Sequence, residues 1–248
     1  MKRRESAAMI RFRRLPMGDA LQIAVPSARR ERVLELLVFL FLILPSMSLS
    51  FLLIHQGNLS FGITAVATIL RDLALVSLIA FFLWHNGEPK ARIGWRFTGV
   101  GDILRGIAYF VVVFYAAGYL DRLLTAAGFS SPKTQLPKFL TAQGSMQELL
   151  AVILVIVVAV AEETIFRGYL ILRLREVTGS TFWAVVLSSV IFAAGHGYEG
   201  SAGVVTVGFL GLTFAIVYVW RGSLVAPIVM QFLQDFLAIV VLPLVLHK

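Results

Sequence analysis

Glu162 and Glu163 are the only adjacent carboxylates in the chain, and they follow thirteen residues of nearly pure hydrocarbon, Leu149 to Ala161. An ionised side chain at membrane depth costs at least a few kcal/mol, so acids in such a place face a bundle interior or a wet cavity and are functional candidates by default. On a helix, Glu163 and Arg167 are i,i+4 neighbours that can pair across one turn, while Glu162 points roughly 100° away. The arginine therefore neutralises Glu163. Glu162 is left for another partner, and the expected one is a water shared with a histidine on a different helix.

Two further pairs have helical spacing. Phe192 and His196 stand four apart, as do Gln231 and Asp235, so each pair shares one face of its helix. Three separate spans thus present polar faces that can meet. His55 and His85 fall at expected span ends and His247 is the penultimate residue, which suits solvated roles. His196 differs: it follows an apolar run, and the glycines around it permit close backbone approach. The plain alternative for His196 is a hydrogen-bonded packing residue.

The order Glu-Glu-x-x-x-Arg (Glu162, Glu163, Arg167), then Phe-x-x-x-His (Phe192, His196), then a third polar pair resembles the CPBP family, the CAAX protease and bacteriocin-processing membrane proteases also called Abi proteins. The resemblance covers roughly Glu148 to Ile239. It implies hydrolysis of a peptide bond in or at the edge of the membrane, on a prenylated CAAX protein in eukaryotic members. Carried onto this chain, Glu162 would be the general base, His196 its partner in orienting the water, Phe192 a substrate contact, and Glu163 with Arg167 the holders of helix face and charge balance. A carboxylate withdrawn from water is a stronger base, and an imidazole can pass a proton to a leaving amine, so the chemistry is coherent.

The third pair departs from the pattern. Gln231 and Asp235 stand where the family commonly has histidine and asparagine to bind the developing oxyanion. Glutamine can still donate to an oxyanion, whereas an ionised aspartate repels one. Losing the histidine also weakens a metal reading, since Glu162, His196 and Asp235 make a minimal ligand set for an ion such as zinc. The expectation is a site without a cofactor, a peptide or protein substrate held at the membrane by itself or by a lipid anchor, and no nucleic acid partner. Two other readings fit the same residues: a non-catalytic scaffold or bacteriocin-immunity protein that keeps the cluster for packing, and a proton-coupled transporter, since intramembrane Glu, His and Asp also build proton relays.

The elements that must position these residues are membrane helices. The 248 residues are 58% hydrophobic and 15% charged, with a mean hydropathy of +0.86, far too apolar for an ordinary soluble domain. Absence of cysteine excludes disulfides, thiolate ligation and a cysteine nucleophile. The expected fold is all-α, a polytopic bundle of about seven spans. Residues 1–32 form a basic segment suited to the cytosolic face and anionic lipid, and residues 33–248 form a single transmembrane domain with the protease-like region at about 148–239. The spans are expected near Val33–Ile54, Phe61–Trp84, Ile103–Leu120, Glu148–Arg175, Phe182–His196, Gly203–Trp220 and Leu224–Leu246.

Seven crossings from a cytosolic N-terminus put seventeen of the 22 lysines and arginines on the cytosolic side, the bias expected of a plasma-membrane protein, and a prokaryotic one fits well. Lys90 to Phe97 reads as a cytoplasmic surface segment, and Arg71-Asp72, near the middle of the second span, as an ion pair facing the bundle or part of a short interfacial helix, with a second polar site as the alternative. Counted along ideal helices, Glu162 lies about 9 Å from the cytosolic boundary, Asp235 about 16 Å and His196 about 21 Å. These levels disagree by about 10 Å, which tilt has to absorb.

Overall fold

The computed structural model describes residues 26–55, 60–130 and 141–246. Residues 1–25 of the basic segment 1–32, residues 56–59, residues 131–140, and His247 with Lys248 lie outside the described residues, and with them most of the arm expected to contact lipid. Among the described residues every regular element is helical.

Helix α1 spans Pro26–His55 and α2 Phe61–His85, followed by a 3-10 turn at Lys90–Ile93. Proline is tolerated in the first turn of a helix because its missing N–H has no partner there anyway. Arg29, Arg30 and Arg32 are therefore already helical, the helix starting seven residues before Val33, the expected start of the first span. Helix α3 is Val100–Ala126. A single long rod then runs through α4 (Ser145–Glu162), a π-helical segment (Glu163–Leu170) and α5 (Ile171–Thr178). After a tight turn come α6 (Thr181–Ala194), a 3-10 turn at Gly197–Glu199, α7 (Gly200–Arg221), α8 (Val225–Asp235), a second π-helical segment (Phe236–Val241) and α9 (Leu242–Leu246).

These stretches follow the expected spans in order. Five of them, Phe61–His85, Val100–Ala126, Ser145–Thr178, Gly197–Arg221 and Val225–Val245, are long and apolar enough to cross a membrane. Thr181–Ala194 has 14 residues and measures about 21 Å at 1.5 Å per residue, short of a full hydrocarbon slab.

That geometry removes the disagreement in depth. The rod continues to Thr178 and α6 starts at Thr181, so Glu162 lies about 24 Å before the turn and His196 about 22 Å after it, at one level. Asp235 sits fewer residues from its own turn because that turn is sunk into the protein. Ser223 is 0% and Leu224 1% exposed, and Leu224 N–H donates to Gly94 O at 3.0 Å.

Three apolar clusters hold the bundle. The largest joins α1, α2, the π segment, α5, α6 and α7 around Phe39, Ile79, Tyr169 and Leu170. A second joins α3, α7 and α8 around Phe214 and Met230. A third, with Phe61, Ala65, Ala151 and Leu154, clamps α2 to α4.

One end of the bundle is tied by charge. Arg173 is fully buried and meets Glu35 Oε1 at 2.7 Å, Glu88 Oε2 at 2.8 Å and Glu176 Oε2 at 3.0 Å. Tyr169 Oη donates to Glu35 at 2.8 Å and Arg32 reaches Glu88 at 2.5 Å. The cluster links α1, the segment just after α2, and α5, and it gathers Arg32, Arg92 and Arg173 with Glu35, Glu88 and Glu176 at one end of the bundle. The segment after α2 is less superficial than expected: Ile93 is 2% exposed, and Trp95 Nε1 donates to Thr164 Oγ1 inside the rod at 3.1 Å.

Candidate active site

The rod places its two glutamates on different sides. Glu163 is 0% and Arg167 1% exposed, and Arg167 Nη1 lies 2.6 Å from Glu163 Oε1 across one turn, as the spacing predicts. The approach is off the hydrogen-bonding direction, so neither Glu163 oxygen has a hydrogen-bond partner among the described residues; the pair is an ionic contact. The guanidinium is also held by Gly211 O at 3.5 Å and lies over the Phe192 ring, 4.3 Å from its centroid, and the Phe214 ring at 5.3 Å. Such a sandwich suits a delocalised, weakly hydrated cation.

Glu162 instead borders a cavity of about 410 Å³. His196, Gln231, Asp235 and Phe192 border it too, so residues from α4, α6 with the turn after it, and α8 converge as their spacing suggested. Glu163 and Arg167 lie behind this lining. Hydrocarbon from α1 (Ile43, Met47), α2 (Ile63, Leu75) and α4 (Leu154, Val158) lines it as well, with polar side chains of α1 and α2 (Ser46, Thr64, Thr68) among it.

His196 sits just past the end of α6. Its Nδ1 is 3.0 Å from Phe192 O, and since a carbonyl only accepts, Nδ1 carries the hydrogen. Nε2 is then a free lone pair, the second ring nitrogen being fixed by the first. The Phe192 ring stacks obliquely on the imidazole at 4.9 Å and edge-on against Phe166 at 5.0 Å. Phe192 is 3% exposed, so it wedges His196 against Arg167 and offers the cavity only an edge. A side chain at Gly195 would place its Cβ 2.3 Å from Met47 Cε; the glycine lets α1 close over the histidine.

Gln231 Nε2 lies 3.0 Å from Asp235 Oδ2 and 3.4 Å from Glu162 Oε2. One amide bridges the two carboxylates, using both of its hydrogens. Among the described residues no three of His, Asp and Glu converge closely enough to hold a metal ion.

Two cavity features were not assigned to the site by the sequence. Tyr198 borders it beyond His196, the rings 5.9 Å apart. Arg71 and Asp72 border it from α2, where Arg71 Nε and Nη2 both approach Asp72 Oδ1 at 2.8 Å. Their mid-span position was legible, but the face they occupy was not, because hydropathy reports depth and not rotation about the helix axis.

Two of the carboxylates that border the cavity directly precede a π-helical segment: Glu162 is followed by Glu163–Leu170 and Asp235 by Phe236–Val241. Widened turns of this kind recur at functional sites.

The arrangement defines an all-α membrane protein with acids, an imidazole and an amide gathered in a cavity walled by hydrocarbon. Residues 145–237 match the family model of the type II CAAX prenyl endopeptidases, Rce1-like. The matched stretch contains every site residue named from the motifs, bears out the resemblance to the CAAX proteases, and supports a peptidase in general. Comparisons with curated proteins and with solved structures found no match.

Proposed function

We propose that the protein is an intramembrane endopeptidase of the CAAX type, which hydrolyses a peptide bond of a membrane-associated substrate with a water activated by Glu162 and His196. The observation that carries this reading is the shared cavity: Glu162, His196, Gln231 and Asp235 border one space of about 410 Å³ together with hydrocarbon from α1, α2 and α4. A water between Glu162 and His196 Nε2 donates one hydrogen to each. Glu162 takes a proton as the water oxygen bonds to the substrate's carbonyl carbon, and gives it to the leaving amine as the C–N bond breaks. Gln231 holds Glu162 and Asp235 in register, and the Phe192 wedge keeps the imidazole in place. The apolar wall receives hydrophobic side chains or a lipid anchor of the substrate. The basic end of the bundle faces the cytosol of a prokaryotic cell.

The test is cleavage of a prenylated CAAX peptide by the full chain in liposomes, with the unprenylated peptide beside it. Glu162→Gln and His196→Ala each abolish cleavage while gel filtration and melting stay near wild type. Undiminished cleavage by both variants refutes the assignment.

The occupied amide of Gln231 favours one second reading, a non-catalytic scaffold or immunity protein in which the cluster only packs. In that case Glu162→Gln leaves the cellular phenotype intact.

A further inference from the structure

The geometry points to Arg71 as the donor that holds the oxyanion of the tetrahedral intermediate, an assignment that rests on reading the cavity as a hydrolytic site. Peptide hydrolysis needs a donor aimed where negative charge develops, and the residues expected to supply it are spoken for. Gln231 Nε2 faces Asp235 at 3.0 Å and Glu162 at 3.4 Å, which uses both amide hydrogens. Asp235 repels an oxyanion when ionised, and its Oδ2 is already taken by the Gln231 amide at 3.0 Å. His196 has its hydrogen on Nδ1, bonded to Phe192 O at 3.0 Å. The Tyr198 hydroxyl is bonded to Glu199. Arg167 lies behind the lining with Glu163.

Arg71 is the one cation bordering the cavity among the described residues. Its side chain is 30% exposed, whereas Asp72 is 1% exposed. Asp72 Oδ1 takes Nε and Nη2, both at 2.8 Å, so the carboxylate orients the guanidinium and three of its five N–H donors remain. Among the described residues the buried Asp72 Oδ2 has no partner, and the aspartate meets the arginine through Oδ1 alone. Residue 71 is the eleventh of the 25 in α2, near the middle of the membrane, where a charged pair is expensive and is placed with a function.

The step balances with the groups present. Water oxygen bonds to the carbonyl carbon as Glu162 takes the proton; the carbonyl π pair moves to oxygen, and Arg71 donates to that anion. When the pair returns, the C–N bond breaks and the amine leaves with the proton from Glu162.

Two arginine roles are separated by a neutral-for-neutral exchange. The double variant Arg71→Met, Asp72→Asn strands no charge, so the bundle keeps its packing, and in liposomes kcat is expected to fall about 10²–10³-fold with KM within about threefold, the signature of a lost oxyanion donor. A peptidyl phosphinate, whose tetrahedral anion mimics the intermediate, loses affinity by a similar factor while the uncleaved peptide binds as before. Cleavage within about threefold of wild type overturns the proposal, because the arginine then only balances Asp72. Should the double variant fail gel filtration, Arg71→Lys decides, since it keeps the charge but not the planar fork: unchanged kcat and unchanged phosphinate affinity overturn the proposal, and a drop in both supports it. Glu162→Gln runs alongside. If that variant still cleaves, the hydrolytic reading of the cavity fails; if it is dead while the double variant is active, only the role of Arg71 fails.

Discussion

Replacing Arg167 by methionine isolates what the buried pair behind the cavity does for stability. The substitution strands Glu163, which is 0% exposed and has no hydrogen-bond partner for either oxygen among the described residues. Breaking a buried pair in this way costs about 3 kcal/mol at least. Loss of the stacking on Phe192 at 4.3 Å adds about 1 kcal/mol, for a total near 4 kcal/mol. Adding Glu163→Gln removes the stranded charge but not the lost stacking, so the double variant sits only about 1 kcal/mol below wild type. For a chain of this size, about 2–4 °C of melting temperature corresponds to 1 kcal/mol. Arg167→Met should melt about 8–16 °C below wild type and the double variant about 2–4 °C below, measured by thermal unfolding in detergent. If the double variant melts as early as the single one, the pair is not held by charge compensation and the account of Glu163 is wrong.

The charged end of the bundle gives two contrasting expectations. Arg173→Met removes the cation that is 0% exposed from among Glu35, Glu88 and Glu176 and leaves them only the more exposed Arg32 and Arg92; a loss of about 3 kcal/mol, the low end for a broken buried pair, follows, read as an early melt that 1 M salt does not mask. Arg92→Ala touches Glu88 and Glu176 from a side chain 42% exposed, and its cost stays below about 1 kcal/mol. Trp95→Phe removes the indole donor to Thr164 Oγ1 at 3.1 Å while Thr164 keeps its own bond to Val160 O, so about 1 kcal/mol is lost, visible as a melt about 2–4 °C lower.

The spans were legible because hydrocarbon runs of membrane length have few other readings, and Glu162, His196 and Asp235 stood out because Glu162 follows such a run and is left over by the Glu163–Arg167 pair, His196 closes another apolar run, and Asp235 shares a helical face with Gln231 four residues before it. Three features escaped for a common reason: they depend on register between helices. Glu35, Glu88 and Arg173 are far apart in the chain, and nothing in their local surroundings announces a shared cluster. The sunken turn at Ser223–Leu224 looks like any other short connection, although Leu224 N–H is taken by Gly94 O. The rotation of α2 that brings Arg71 and Asp72 to the cavity is invisible to hydropathy.

The two π-helical segments tie these points together. A widened turn breaks the i→i−4 ladder and shifts the facing of everything beyond it, and here the break falls directly after Glu162 and directly after Asp235. Each rod can therefore satisfy two demands that a uniform α-helix sets against each other. Upstream of the break, Glu162 on α4 and Gln231 with Asp235 on α8 turn to the cavity; downstream, Arg167 turns to Phe192, Phe214 and Gly211 in the dry interior. Sequence spacing alone correctly pairs Glu163 with Arg167, because that pair lies within the segment. The step of about 100° between neighbours turns Glu162 to the cavity and Glu163 to the core, and the wide turn that begins at Glu163 sets the facing of the residues beyond it.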